Sequence, residues 1–211
     1  MALQTILDNK VIVIVRGVAK EELIPLVQAM YDGGIRLVEC TYDASGKISD
    51  EEIASNIEML AKHFAGKMQI GAGTVLTQKQ VALTKEAGGT FIISPDTNVE
   101  VIQYTKELGL VSIPGAITPT EVATANRAGA DFIKLFPIDL YGPKYIKTLK
   151  APLSNARFLA VNGITADNMG EYLEAGACGV GVGSGIVNKT KIADKDWAGI
   201  TELAKKYTQN I

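Results

Sequence analysis

Short β-branched runs alternate with amphipathic stretches eight times along this chain, and glycine marks most of the returns. Val11 to Val15, Ile35 to Thr41, Met68 to Gly71, Thr90 to Ser94, Leu110 to Ile113, the run 128–137, Arg157 to Val161 and Cys178 to Val182 read as strands. Runs this short and apolar suit parallel strands buried on both faces. Between or after them, Glu21 to Tyr31, Ile53 to Phe64, Thr77 to Ala87, Val99 to Leu108, Tyr145 to Leu149, Thr165 to Ala175 and Asp196 to Tyr207 read as helices. Another helix opens at Thr118-Pro119-Thr120-Glu121, with a capping residue, a proline in the first turn and an acid at the third position. Ser49-Asp50-Glu51-Glu52 has the form of a capping box, and Gly71-Ala72-Gly73-Thr74 that of a turn. A glycine, one or two residues and an apolar run recur at Gly34, Gly89, Gly109, Gly129 and Gly176. Such β-then-α units with short links predict an α/β fold: a single (β/α)8 TIM barrel over 1–211 with a short N-terminal helix. A doubly wound sheet uses the same unit, but eight strands in 211 residues favour the barrel.

Composition narrows the function by exclusion. The net charge of −2 offers no basic footprint for nucleic acid. Cys40 and Cys178 are far apart and form no CxxC pattern, and His63 is the single histidine, so no metal site is expected. The stretch MALQTILDNK is too short and polar for a signal peptide, and no apolar run approaches a membrane span. The expectation is a cytoplasmic protein with a small-molecule ligand.

The run Ala128-Gly129-Ala130-Asp131-Phe132-Ile133-Lys134-Leu135-Phe136-Pro137 places a lysine inside a buried strand. Side chains alternate, so Phe132, Lys134 and Phe136 share one face. An ammonium between two phenylalanines loses hydration, which favours the neutral amine, and a neutral amine can attack a ketone to form a Schiff base. The ordinary alternative is a lysine whose stem packs while its head snorkels to solvent. In a barrel, reactive groups gather at the C-terminal ends of the strands. Arg16, Glu39, Thr41, Thr74, Ser94 and Lys134 interrupt those ends, and parity brings Arg16, Glu39 and Lys134 to one mouth. A paired core charge is the competing reading. The turns Val161-Asn162-Gly163-Ile164-Thr165 and Val182-Gly183-Ser184-Gly185 follow strands seven and eight, where backbone N–H groups of such barrels often hold phosphate.

Several segments together resemble the 2-keto-3-deoxy-6-phosphogluconate (KDPG) and 2-keto-4-hydroxyglutarate (KHG) aldolase family, which includes 6-phosphogalactonate-type members. They are Gly71-Ala72-Gly73-Thr74-Val75-Leu76, Ile93-Ser94-Pro95, Ile113-Pro114-Gly115, Ile133-Lys134-Leu135-Phe136-Pro137, Gly142-Pro143-Lys144-Tyr145-Ile146-Lys147 and Gly181-Val182-Gly183-Ser184. The resemblance runs from Val11 to about Val187. It implies a class I aldolase on a trimeric barrel, a lyase that needs no metal or other cofactor and cleaves a phosphorylated keto acid to pyruvate and glyceraldehyde 3-phosphate. It implies Lys134 as the Schiff-base lysine, Glu39 as general acid and base, Thr74 and Pro95 near the carboxylate, Arg16 as a substrate contact, and Gly163, Gly183 and Ser184 at the phosphate. Many family members carry an arginine after the Glu-x-Thr strand, where this chain has Tyr42-Asp43, and an aspartate cannot pair with a substrate carboxylate. Asn162 stands where a glycine often precedes Gly163, and Asp96 follows Ser94-Pro95. Alternatives are an aldolase for 2-keto-4-hydroxyglutarate or a 6-phosphogalactonate-type substrate, a phosphosugar epimerase or synthase, and a non-catalytic sugar-phosphate-binding barrel.

Overall fold

The computed structural model describes residues 2–209 and 211. Its first half runs α1 (Ala2–Asn9), β1 (Val11–Val15), α2 (Lys20–Asp32), β2 (Leu37–Thr41), α3 (Asp50–His63), β3 (Gln69–Gly73), α4 (Gln78–Glu86), β4 (Phe91–Ile93), α5 (Val99–Glu107) and β5 (Val111–Ile113). The second half runs β6 (Gly115–Ala116), α6 (Pro119–Arg127), β7 (Ile133–Leu135), a 3-10 turn (Ile138–Leu140), α7 (Pro143–Lys150), β8 (Phe158–Val161), α8 (Met169–Glu174), β9 (Gly179–Val182), α9 (Lys189–Ala193) and α10 (Trp197–Thr208).

Every strand pairing is parallel, in the order β5-β4-β3-β2-β1-β9-β8-β7-β6. Only Pro114 separates β5 from β6, and proline has no N–H to give the ladder. Its carbonyl accepts from the Lys134 N–H at 2.9 Å, while the Ser112 carbonyl accepts from Asp131 and Phe132 at 3.0 and 3.2 Å. The broken stave therefore joins β4 on one side to β7 on the other. Nine strand segments make eight staves, and the sheet closes as the alternation predicts.

Alternation along the staves divides the core in two. Ile12, Leu37, Phe91, Ile93, Val111, Ile113, Phe132 and Leu159 fill the barrel interior, and α1 seals the end where the strands begin with Ala2 and Ile6. Val11, Val13, Val38, Ile92, Ile133, Leu135, Ala160 and Val180 face outward against the helical shell. The interior below is thus apolar and filled, and polar chemistry is confined to the opposite end.

Four local expectations are corrected. Gly71–Thr74 is not a turn: β3 continues to Gly73, and its glycines mark close approach rather than reversal. A Cβ at Gly71 would lie 2.4 Å from the Phe91 ring. The regular ladder of the lysine run covers only 133–135, with Pro137 unable to extend it. Helix α8 starts at Met169 because the Thr165 and Asn168 side chains bond each other's backbone N–H at 3.2 and 2.8 Å, a local alternative to helical bonds. The full reciprocal capping box occurs at Thr118 and Glu121, whereas at Ser49 only its hydroxyl accepts, from Glu52. Helix α9 had no counterpart in the sequence reading. Among the described residues, no helix is long and apolar enough to cross a membrane.

The seal on the barrel floor yields a test. Ile6 is fully buried, so Ile6→Ala should lower unfolding free energy by about 2–5 kcal/mol in urea titration. A loss under about 1 kcal/mol would mean that α1 is peripheral to the core.

Candidate active site

The inward parity of the β7 run carries its chemistry to the open end of the barrel. Phe132 lies deepest, in the interior cluster; Lys134 is next and only 8 % exposed; Phe136 lies at the rim. The Lys134 Nζ sits over the Phe136 ring, 4.9 Å from its centroid. Phe136 is the ring that covers the amine, while Phe132 forms the floor. The snorkelling alternative does not describe this side chain.

Glu39 approaches from β2, its Cα level with Ile14 of β1 and Gly71 of β3. It is 1 % exposed, and its Oε2 has no hydrogen-bond partner among the described residues. Room for the carboxyl comes from Gly73, where a Cβ would stand 2.5 Å from Oε1. Burial pushes the Glu39 carboxyl up to about 7, against the opposing pull of Lys134 and Arg16. Burial likewise lowers the Lys134 pKa, opposed by the Glu39 charge and aided by Arg16. Both shifts favour the uncharged forms, so desolvation outweighs the mutual attraction of the pair. An uncharged amine is a nucleophile, and a carboxyl titrating near neutrality can both accept and return a proton.

Arg16, just beyond β1, donates from Nη2 to Thr74 Oγ1 at 2.8 Å. Thr74 holds φ at +55°, an unusual backbone for a β-branched residue. Pro95 follows β4, and its carbonyl would lie 2.2 Å from a Cβ at position 115, which fits Gly115 opposite it. Gly163 follows β8 at φ +68°, in the left-handed region that glycine tolerates. Gly183 and Ser184 follow β9. Arg16, Glu39, Thr74, Pro95, Lys134, Gly163, Gly183 and Ser184 all line one cleft of about 580 Å3 at the strand C-termini.

Thr41 and Ser94 do not line it: Thr41 donates to the Val15 carbonyl at 3.2 Å, and Ser94 is buried. Asp43 does not face it either. Its carboxylate accepts from the N–H groups of Ser45, Lys47 and Ile48 at 2.9, 3.0 and 3.1 Å. Those bonds, that of the Ser45 hydroxyl first, hold its carboxyl down at about 2. Asp43 thus folds the loop after β2 upon itself. Asn162 does reach the cleft, at φ +87°, and donates to Asp139 at 2.6 Å.

Phe136 and Tyr207 also line the cleft, and sequence reasoning assigned neither of them to it. Thr165 lines it as the end of the expected glycine turn, and Phe136 is legible in sequence only as a neighbour of the lysine. Tyr207 reads as one of the apolar positions of the last helix, and no local signal separates it from the core. Among the described residues, no group of three His, Cys, Asp or Glu is placed to hold a metal ion.

A closed parallel α/β barrel with a buried lysine and a buried carboxyl at its mouth defines a class of barrel suited to carbonyl chemistry. The family of KDPG and KHG aldolases matches residues 3–203, and the chain belongs to it. It is 32 % identical over 201 residues to the 2-dehydro-3-deoxy-6-phosphogalactonate aldolase of Escherichia coli (strain K12), covering 95 % of each chain. It is 32 % identical over 193 residues to the 2-dehydro-3-deoxy-phosphogluconate aldolase of Treponema pallidum (strain Nichols), covering 90 % of this chain and 87 % of that one. The KDPG aldolase of Legionella pneumophila, solved with pyruvate captured at low pH as a covalent carbinolamine intermediate, superposes with a TM-score of 0.88. That protein is 28 % identical, with 99 % of this chain and 98 % of that one covered.

The buried carboxyl has a consequence for stability. A folded pKa of about 7 against an ordinary 4.5 means that the unfolded chain gives up this proton first as pH rises. Below pH 4.5 the group is neutral in both states and contributes nothing; from there to about pH 7 the unfolded chain binds fewer protons and stability falls. Glu39→Gln should flatten that fall in denaturant titrations across this window. An unchanged pH profile would mean that the carboxyl is ionised in the fold.

Proposed function

We propose that this chain is a class I aldolase, a lyase that reversibly cleaves a 2-keto-3-deoxy-6-phospho sugar acid to pyruvate and glyceraldehyde 3-phosphate. The observation that carries the reading is the desolvated Lys134 amine beside a carboxyl poised to exchange protons near pH 7. The neutral Lys134 amine adds to the C2 ketone, and loss of water leaves an iminium. The iminium draws in the electron pair of the C3–C4 bond as that bond breaks. Glu39, as carboxylate, accepts the C4 hydroxyl proton; the departing carbon becomes the aldehyde, and the pyruvate half remains as an enamine. Protonation at C3 by Glu39 and addition of water to the iminium then release pyruvate and free the amine. Arg16, Thr74 and Pro95 would surround the carboxylate end, and the turns of Gly163, Gly183 and Ser184 would hold the phosphoryl group through backbone N–H donors.

The relatives act on both the 6-phosphogalactonate and phosphogluconate types of substrate, and either is compatible with this cleft. Cleavage assays coupled to pyruvate release, run on a panel of both stereoisomers and a 4-hydroxyglutarate, decide the substrate. We take residues 1–211 as one aldolase domain, supported by a single continuous sheet. We place the enzyme in the cytoplasm, because a phosphorylated sugar acid is too charged to leave an aqueous compartment unaided. A homotrimer is our reading from the family resemblance, and the exposed Leu140 and Tyr141 after β7 are suited to a subunit contact; sedimentation should give the mass of three chains.

Incubation with pyruvate and borohydride should attach one reduced pyruvyl group per chain, and Lys134→Ala should abolish it. Glu39→Gln should keep the adduct while slowing turnover about 10²–10⁴-fold. A chain that binds ligand without forming the adduct would be a sugar-phosphate-binding barrel instead.

A further inference from the structure

The last helix sends one polar atom into the cleft. Tyr207 of α10 is 4 % exposed and lines the wall shared by Asn162–Thr165 and Gly183–Gly185. Its oxygen accepts from the Ala166 backbone N–H, a bond that lowers its pKa against the larger opposing effect of burial. A phenol oxygen that accepts from Ala166 must aim its own hydrogen elsewhere, and among the described residues no protein group takes that hydrogen. Space around the hydroxyl is kept open by Gly185, where a Cβ would stand 2.1 Å from the phenol oxygen.

The charges of the cleft give the hydroxyl its purpose. Among the described residues, its lining cations are Arg16, already bonded to Thr74, and Lys134, covered by Phe136. The wall of 162–165 and 183–185 contributes only neutral groups. An anion held there depends on backbone N–H and hydroxyl donors, and each missing donor is felt strongly.

We propose that Tyr207 is a specificity-determining residue, whose hydroxyl donates to the terminal phosphoryl group of the substrate and so joins the C-terminal helix to the two glycine turns. The inference rests on the phosphate reading above. Burial raises the pKa of the phenol, so it stays protonated and able to donate through the neutral range.

Tyr207→Phe removes the donor and keeps the ring. The ratio of kcat/KM for a phosphorylated 2-keto-3-deoxy acid to that for its unphosphorylated counterpart should fall about tenfold or more, through KM rather than kcat. The rise in Tm that inorganic phosphate gives the wild-type protein should shrink in parallel. Gly185→Ala, whose methyl group would displace the hydroxyl, should repeat the pattern and serves if Tyr207→Phe folds poorly. Wild-type preference for the phosphorylated acid that survives in the variants overturns the role of Tyr207 alone. A wild-type protein with no such preference and no response to inorganic phosphate overturns the phosphate reading, and Tyr207 with it.

Discussion

Removal of water from one amine and one carboxyl is the constraint on which the rest of this molecule depends. Lys134 and Glu39 have opposite charges, and in water each would be ionised. At the mouth of the barrel, both lose solvent and both shift toward neutrality. The Coulomb attraction that would hold them as an ion pair is too weak to offset the lost hydration. Arg16 adds to the balance by favouring the anionic carboxyl and disfavouring the ammonium.

The architecture maintains that state by dividing polar from apolar. The interior cluster and the α1 seal fill the lower barrel with apolar side chains, so the open end is where a ligand can enter. Small residues are then placed where the site needs volume. Gly73 admits the Glu39 carboxyl, and Gly185 keeps the Tyr207 hydroxyl in the cleft. Neither glycine sits in the left-handed region, so each is explained by space rather than by backbone conformation.

Much of the site was legible because strand parity is a local rule. The inward positions of Lys134 and Glu39, and the turns after β8 and β9, follow from two-residue alternation and from counting strands. The departure at Asp43 shows the opposite case. Sequence comparison suggests a reversed charge facing the substrate, yet the carboxylate spends its hydrogen bonds on its own loop. Gly71 and Gly73 also misled, because a glycine that makes room for a ring or a carboxyl looks, in sequence, like one that makes a turn.

The sequence by itself determined the eight-fold alternation, the burial of one lysine strand and the family to which these motifs point, since each is written in residues close along the chain. Only the tertiary structure decided that β5 and β6 are one stave broken at Pro114, that Asp43 turns away from the cleft, and that Tyr207 from the last helix lines it. These facts depend on which distant residues share a volume, and no local period along a chain encodes that.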